Sequence, residues 1–234
     1  MYVDSCSLGY SLNLLAHFIY NPVICSAMYI PGEFKQEDIE AIGSFLQKNS
    51  FGILLTPDGD DIYNSQIPFI IKRESTTFTL YGHLARNNEQ WKVSENKKAT
   101  VLFPGTHHYI SPIWYTVESS VPTWDYEIVK LKGTFEILNR KETAELLIEL
   151  SEEFDPAWAA LKKENEKYYQ KMVEEIVGFR IKADQVQAKW KMSQNRPIPD
   201  VKKVIDNLKK INSPQANETA REIEESNASR LKKE

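Results

Sequence analysis

Cysteine is nearly absent from this chain of 234 residues. Its two cysteines, Cys6 and Cys25, both fall in the first 27 residues. The main body therefore has no disulfide framework and none of the Cys/His spacings of a structural zinc site. That usage fits a reducing compartment, and we expect a cytoplasmic protein. Long apolar runs are lacking as well. The most apolar segment, near the start, is interrupted by Asn13, His17, Asn21 and Pro22, which argues against a membrane span. No GxGxxG follows a strand-like segment and no GxxxxGK[ST] occurs, so neither a dinucleotide fold nor a P-loop is supported. The GxSxG elbow of many serine hydrolases is missing too. A basic stripe is also wanting. The formal net charge is −4, and Met28–Pro199 carries 21 Lys+Arg against 25 Asp+Glu. Nucleic-acid binders present positive surface, so DNA contact here would need a patch assembled by folding or dimerisation.

Residues 1–27 stand apart. They end in Cys25-Ser26-Ala27, like a signal-peptidase site, yet contain no Lys or Arg and place Asp4 where a positive region belongs. We expect a non-core extension over 1–27, a folded domain over 28–199 opening at Met28, and a helical tail over 200–234.

Periodicity places the elements. Ile39, Ile42, Phe45 and Leu46 share one helical face, predicting a helix over Phe34–Lys48. Phe51–Thr56 reads as a buried strand, Pro57–Asp60 as a turn and Ile62–Ile71 as a returning strand, with Pro68 demanding an edge or a bulge. Thr76–His83, Lys98–Phe103 and Glu127–Leu138 follow as strands, and Gly133 marks a bulge or a close backbone approach. Asn139 and Glu142 form a capping box. Val177, Phe179 and Ile181 alternate on one parity, and Val186, Ala188, Trp190 and Met192 on the other, so a bulge or turn is expected at Ala183–Gln185. Asp200 is expected to cap a final amphipathic helix. Beyond Asn212 the polar tail is expected to be frayed or loosely helical. Strands in succession joined by short turns predict an α+β protein, an antiparallel sheet or barrel with helices attached.

What the chain has in excess is aromatic rings in one place. Leu102–Tyr126 holds Tyr109, Trp114, Tyr115, Trp124 and Tyr126 beside His107 and His108. Large rings with polar tips suit a flat ligand or a second subunit. They would serve as well as plugs over a sheet end. A metal site from His83, His107 and His108 is weakened because adjacent strand residues point opposite ways. A flavin nucleotide needs an apolar wall for its ring and donors for its ring edge and phosphate. Asn64–Pro68 and Gly82–Trp91 supply short polar groups beside apolar ones.

Five blocks in order resemble a known family. They are Met28-Tyr29-Ile30-Pro31, GHLARNNEQW (82–91), LFPGTHHYISPIWY (102–115), VPTWDY (121–126), and Val177-Gly178-Phe179 with KMSQNR (191–196). Together they resemble the FMN-binding negative transcriptional regulators, the PaiB-like proteins. The resemblance implies an antiparallel split β-barrel related to pyridoxamine-phosphate oxidase, with peripheral helices and a C-terminal amphipathic helix. It also implies a homodimer with FMN at the subunit interface. Ser65, Gln66 and Ile67 would line the flavin from one strand, and His83, Leu84, Ala85, Asn88 and Trp91 from the next strand and turn. Trp114, Trp124 and Tyr126 would close the site, from the same subunit or from the other. The chain departs from the family pattern at Gln66, Glu89, Thr106 and Asp125, where His, Pro, Pro and Asn are usual. A flavin-dependent oxidoreductase, or an interaction protein without cofactor, are the alternatives.

Overall fold

A computed structural model describes residues 28–116, 120–161 and 166–233. The expected extension at 1–27 and part of the charged run after Leu161 lie outside the described residues. Strands β1 (Lys35–Gln36), β2 (Phe51–Asp58), β3 (Asp61–Pro68), β4 (Ile70–Glu74), β5 (Thr77–Ala85), β6 (Lys98–Ile110), β7 (Thr123–Ile137) and β8 (Ile176–Lys191) form one antiparallel sheet. Its order is β3-β2-β6-β7-β8-β5-β4, with β1 added to β8. The helices are α1 (Ile39–Lys48), α2 (Gln90–Ser94), α3 (Arg140–Phe154), α4 (Pro156–Ala160), α5 (Glu166–Glu174), α6 (Ile198–Ile211), α7 (Pro214–Ser226) and α8 (Ala228–Leu231).

The sheet is rolled because its two end strands are consecutive in the chain. β3 and β4 are joined by Phe69 alone. Phe69 is buried at 1% exposure, and its N–H donates to the Ser50 carbonyl at 2.9 Å. Sequence reasoning predicted one strand over Ile62–Ile71. Two are found, because Pro68 has no N–H to carry the ladder onward. The β2–β3 ladder ends at Phe51–Pro68, and a new one with β5 starts at Ile70. Inside the roll, Phe69, Phe103, Phe135 and Phe179 make a chain of ring contacts, with the last pair stacked at 4.4 Å. The result is an antiparallel split barrel of the α+β class.

Expected details hold. Asn139 and Glu142 form the full capping box of α3. The parity switch in β8 is a bulge within one strand. Gly133 faces Ala183, and the next pair is Lys132 with Gln185, leaving Asp184 over. Gly133 is required there because an added Cβ would lie 2.1 Å from the Lys182 carbonyl oxygen.

Other details are corrected. The first helix starts at Ile39, not Phe34, because Asp38 caps it by accepting from the N–H groups of Glu40 and Ala41. β6 runs on to Ile110 instead of ending at Phe103. Pairing with β7 carries it past Pro104 and Gly105 through a register shift. Asp200 does not cap α6; Pro197 is the N-cap, and the buried Asp200 carboxylate accepts from the Thr116 N–H at 2.6 Å instead. The stretch after Asn212 is well-packed helix. Ala216, Ala220 and Ile223 of α7 are fully buried in the same hydrophobic cluster as the barrel interior and the apolar face of α6, Val201, Val204, Ile205 and Leu208.

Gly133→Ala should cost about 3 kcal/mol or more of unfolding free energy, since backbone blocks the new methyl. Gly32→Ala, with nothing within 4 Å of its Cβ, should stay within about 0.5 kcal/mol. Paired urea melts of the two variants check this. Equal costs would contradict the bulge assignment.

Candidate functional site

The expected site residues fall into two groups. The first lies where β3 meets β5. A Cβ on Gly82 would come within 3.2 Å of Ile67 Cδ1, which shows how closely the two strands approach. Side chains alternate across a strand, so Ser65 and Ile67 are half-buried while Gln66 is exposed and donates to Asn64 Oδ1 at 3.1 Å. His83 is half-buried opposite Gly178. Its Nδ1 is buried without a hydrogen-bond partner, and burial lowers its pKa, so the ring is held neutral. Leu84 points into the core at 2% exposure, and Ala85 is exposed at the strand end.

A buried amide organises this group. Gln90, at 1% exposure, accepts from Ser65 Oγ at 2.7 Å. Its Nε2 lies 3.3 Å from the Leu54 carbonyl, from Thr56 Oγ1 and from the Tyr63 carbonyl. Asn88 Nδ2 donates to Ser65 Oγ at 2.9 Å, and Asn88 Oδ1 accepts from the Gln90 N–H at 3.0 Å. The Gln90 side chain thus ties β2, β3 and α2 together and fixes Ser65, which with the Gln90 N–H holds Asn88. Trp91 donates its indole N–H to the Arg86 carbonyl at 3.0 Å. A cavity of about 390 Å³ lies beside Trp91, between Arg86, Arg140 and Val177. Glu89 pairs with Lys92 at 3.5 Å, so its charge is partly compensated locally.

The second group sits at the far end of β6 and β7. Trp124 is 53% exposed, with the rings of His107 and Tyr109 at 6.1 and 6.0 Å. Lys189 Nζ lies 5.2 Å from the centre of the Tyr126 ring. Trp114 is half-buried against the core. Between Trp124 and Tyr126, Asp125 points inward at 1% exposure and accepts from Ser193 Oγ at 2.5 Å and Lys191 Nζ at 3.3 Å. Burial raises its pKa, while Ser193 and Lys191 act in the other direction. The Arg196 guanidinium lies 4.2 Å from the Tyr115 ring centre. Tyr115 Oη and Asp200 Oδ2 are buried without hydrogen-bond partners.

The two groups lie on different strands of the rolled sheet. Along β8, His83 pairs with Gly178 and Tyr126 with Lys191, with twelve residues between them; across the sheet the route is shorter, since Gln66 pairs with Ile53, Ile53 with Leu102 and Leu102 with Lys130, four residues from Tyr126. Sequence reasoning did not single out Gln90, nor Lys191, Ser193 and Arg196 as site residues, although all four stand in the quoted motifs. His83, His107 and His108 do not gather, and among the described residues no cluster of three metal-ligating side chains is found.

Gln90→Leu keeps the volume but strips Ser65, the Leu54 carbonyl and the Tyr63 carbonyl of a shared partner. It should cost about 2 kcal/mol in a denaturant melt. A cost below about 0.5 kcal/mol would show that Gln90 does not anchor this group.

The geometry can be set beside known proteins. The family model described as "Putative FMN-binding domain" matches residues 28–185. The chain is 34% identical over 205 residues to the "Protease synthase and sporulation protein PAI 2" of Bacillus subtilis, covering 85% of this chain and 97% of that protein. An uncharacterized protein of Aspergillus fumigatus is 24% identical, with 79% and 92% covered. Among solved structures, the FAD and heme binding protein of Mycobacterium smegmatis superposes with a TM-score of 0.52 at 15% identity, covering 67% of this chain and 73% of that one. The flavocytochrome Anf3 of Azotobacter vinelandii gives 0.51 at 13% identity, covering 67% and 69%. At those identities the likeness concerns the fold. The family match spans most of the chain, and with it the relative that is a third identical shows that this chain belongs to the PaiB-like family of FMN-binding split barrels.

Proposed function

We propose that FMN is held between two copies of this chain. One copy supplies the β3–β5 group with the turn before α2: Ser65, Gln66, Ile67, His83, Ala85, Asn88 and Trp91, and Leu84 through its backbone alone, since its side chain lies in the core. The other supplies Trp114, Trp124 and Tyr126. The observation that carries this reading is the ring of Trp124, 53% exposed on β7 and set on a different strand from the β3–β5 group, which leaves it open to a second copy. The groups present fit a flavin. The orphaned Nδ1 of His83 awaits a polar partner, Ile67 gives an apolar surface beside the Ser65–Asn88 pair, and Trp124 presents an exposed ring. Bound FMN supplies a reducible ring; the chain's own residues position it and exclude water from one face.

The role we propose is regulatory, exerted by a cytoplasmic, flavin-loaded dimer through its partners more than by direct reading of DNA. The acidic balance of the chain supports the indirect route, since tight DNA binding draws most of its affinity from Lys and Arg on phosphate. No helix among the described residues is long and apolar enough to cross a membrane.

Titration of purified protein with FMN, followed by flavin fluorescence and by solution mass, tests the reading. Quenching that saturates at one flavin per chain, with a mass twice that of the 27.1 kDa chain, is expected. Ligand at about a hundredfold above its Kd should also add about 2.7 kcal/mol of stability. A monomer that leaves flavin fluorescence unchanged would overturn the proposal.

A further inference from the structure

A second pocket lies on the opposite side of β7 from Tyr126. It sits between α1, the β7–β8 ladder and α7, and has a volume of about 280 Å³. Its floor is Glu127, which faces Trp190 across the ladder. Glu127 is 5% exposed and lines the pocket, and among the described residues no side chain hydrogen-bonds to its carboxyl group. Burial against an apolar wall is costly for a carboxylate without a partner. The wall is aromatic: the rings of Phe45 and Trp190 are 5.1 Å apart at 60°.

The other charges at the pocket form one network of three carboxylates and two cations. From α1, Lys48 pairs with Glu218 and, at 3.2 Å, with Glu222. From α7, Arg221 pairs with Glu218 and Glu222 at 2.8 Å each and with Glu225 at 3.8 Å. Glu127 takes no part in that network among the described residues. A buried carboxyl floor, an aromatic wall and an acidic rim together select a cation with an apolar body.

We propose that this pocket binds a small organic cation, a primary ammonium on a short aliphatic chain, with Glu127 as its counter-ion. The ammonium would take the place of the missing partner, and its methylenes would lie on Phe45 and Trp190. The site is distinct from the flavin groups, and the proposal does not depend on flavin binding.

Burial, first, and the nearby carboxylates of Glu222, Glu218 and Glu225 push the Glu127 pKa up to about 8, with Lys48 acting the other way. The free protein therefore holds this carboxyl protonated below about pH 8, and a cation must displace that proton. Apparent affinity scales with the ionised fraction. It should rise about tenfold between about pH 7 and about pH 9 and then level off.

The test is calorimetric titration of the full chain with n-butylammonium chloride, with n-butanol and sodium chloride as controls. Saturable binding of the ammonium alone, tightening with pH as described, is expected. Glu127→Gln should weaken it at least tenfold while circular dichroism stays unchanged. Absence of saturable binding at pH 9, a flat pH profile, equal binding of n-butanol, or equal binding by a folded Glu127→Gln protein would each overturn the proposal. If Glu127→Gln fails to fold, the pH profile of the unaltered chain decides alone.

Discussion

The ladder between β7 and β8 is the constraint on which the rest depends. It pairs without interruption of the strands from Tyr126–Lys191 to Ile137–Phe179. Such a length of sheet twists, and β7 buries one face throughout, from Val129 through Leu131 to Phe135, so β8 must keep its apolar side chains on that face as it bends. The bulge at Gly133 solves this. One residue of β8 is left over, the side-chain parity flips, and the two backbones approach more closely than any Cβ would permit. Beyond the flip, Phe179 and Ile181 face the barrel interior on one stretch, and Ala188 and Trp190 are buried on the other. The same ladder sets the spacing of the two aromatic and polar groups.

Buried polar groups then fix each end. Gln90 is shared among three segments around Ser65. Asp125 is held by Ser193 and Lys191, and Asp200 by Thr116. Such groups are costly when unpaired and rigid when paired. They also account for two departures from the family pattern. Asp125 in place of Asn has a lysine beside it, at 3.3 Å, to match its charge. Thr106 in place of Pro sets its hydroxyl 2.7 Å from that of Thr219, which helps seat α7 on β6.

The strands were legible because alternation reports a half-buried sheet face, as in Val129, Leu131 and Phe135. The bulge was legible because Ile181 and Val186 fall on opposite parities around an odd step. Elements decided by tertiary contact were not. Pairing with β7 overrides the break that Pro104-Gly105 signals locally, and a turned-in Phe69 divides what reads as one strand. The burial of α7 was hidden because its inward stripe is Ala216, Thr219 and Ala220, small residues that give little apolar contrast. Asp200 looked like a cap because Asp often is one; only the fold brings Thr116 to it. The motifs around Asn88 and Trp124 marked both halves of the candidate site, but periodicity carries no information on how far apart they lie.

The central claim is that one flavin site draws on two copies of the chain. Mixing two inactive variants tests it most directly. Ser65→Trp would block the β3 side, and a chain with both Trp124→Ala and Tyr126→Ala would remove the ring side. Neither variant alone should bind FMN. Unfolded, mixed and refolded together, the two should regain flavin binding, because a mixed pair contains one site with both halves intact. A mixture that binds no more FMN than either variant by itself would place the whole site within a single chain and contradict the account.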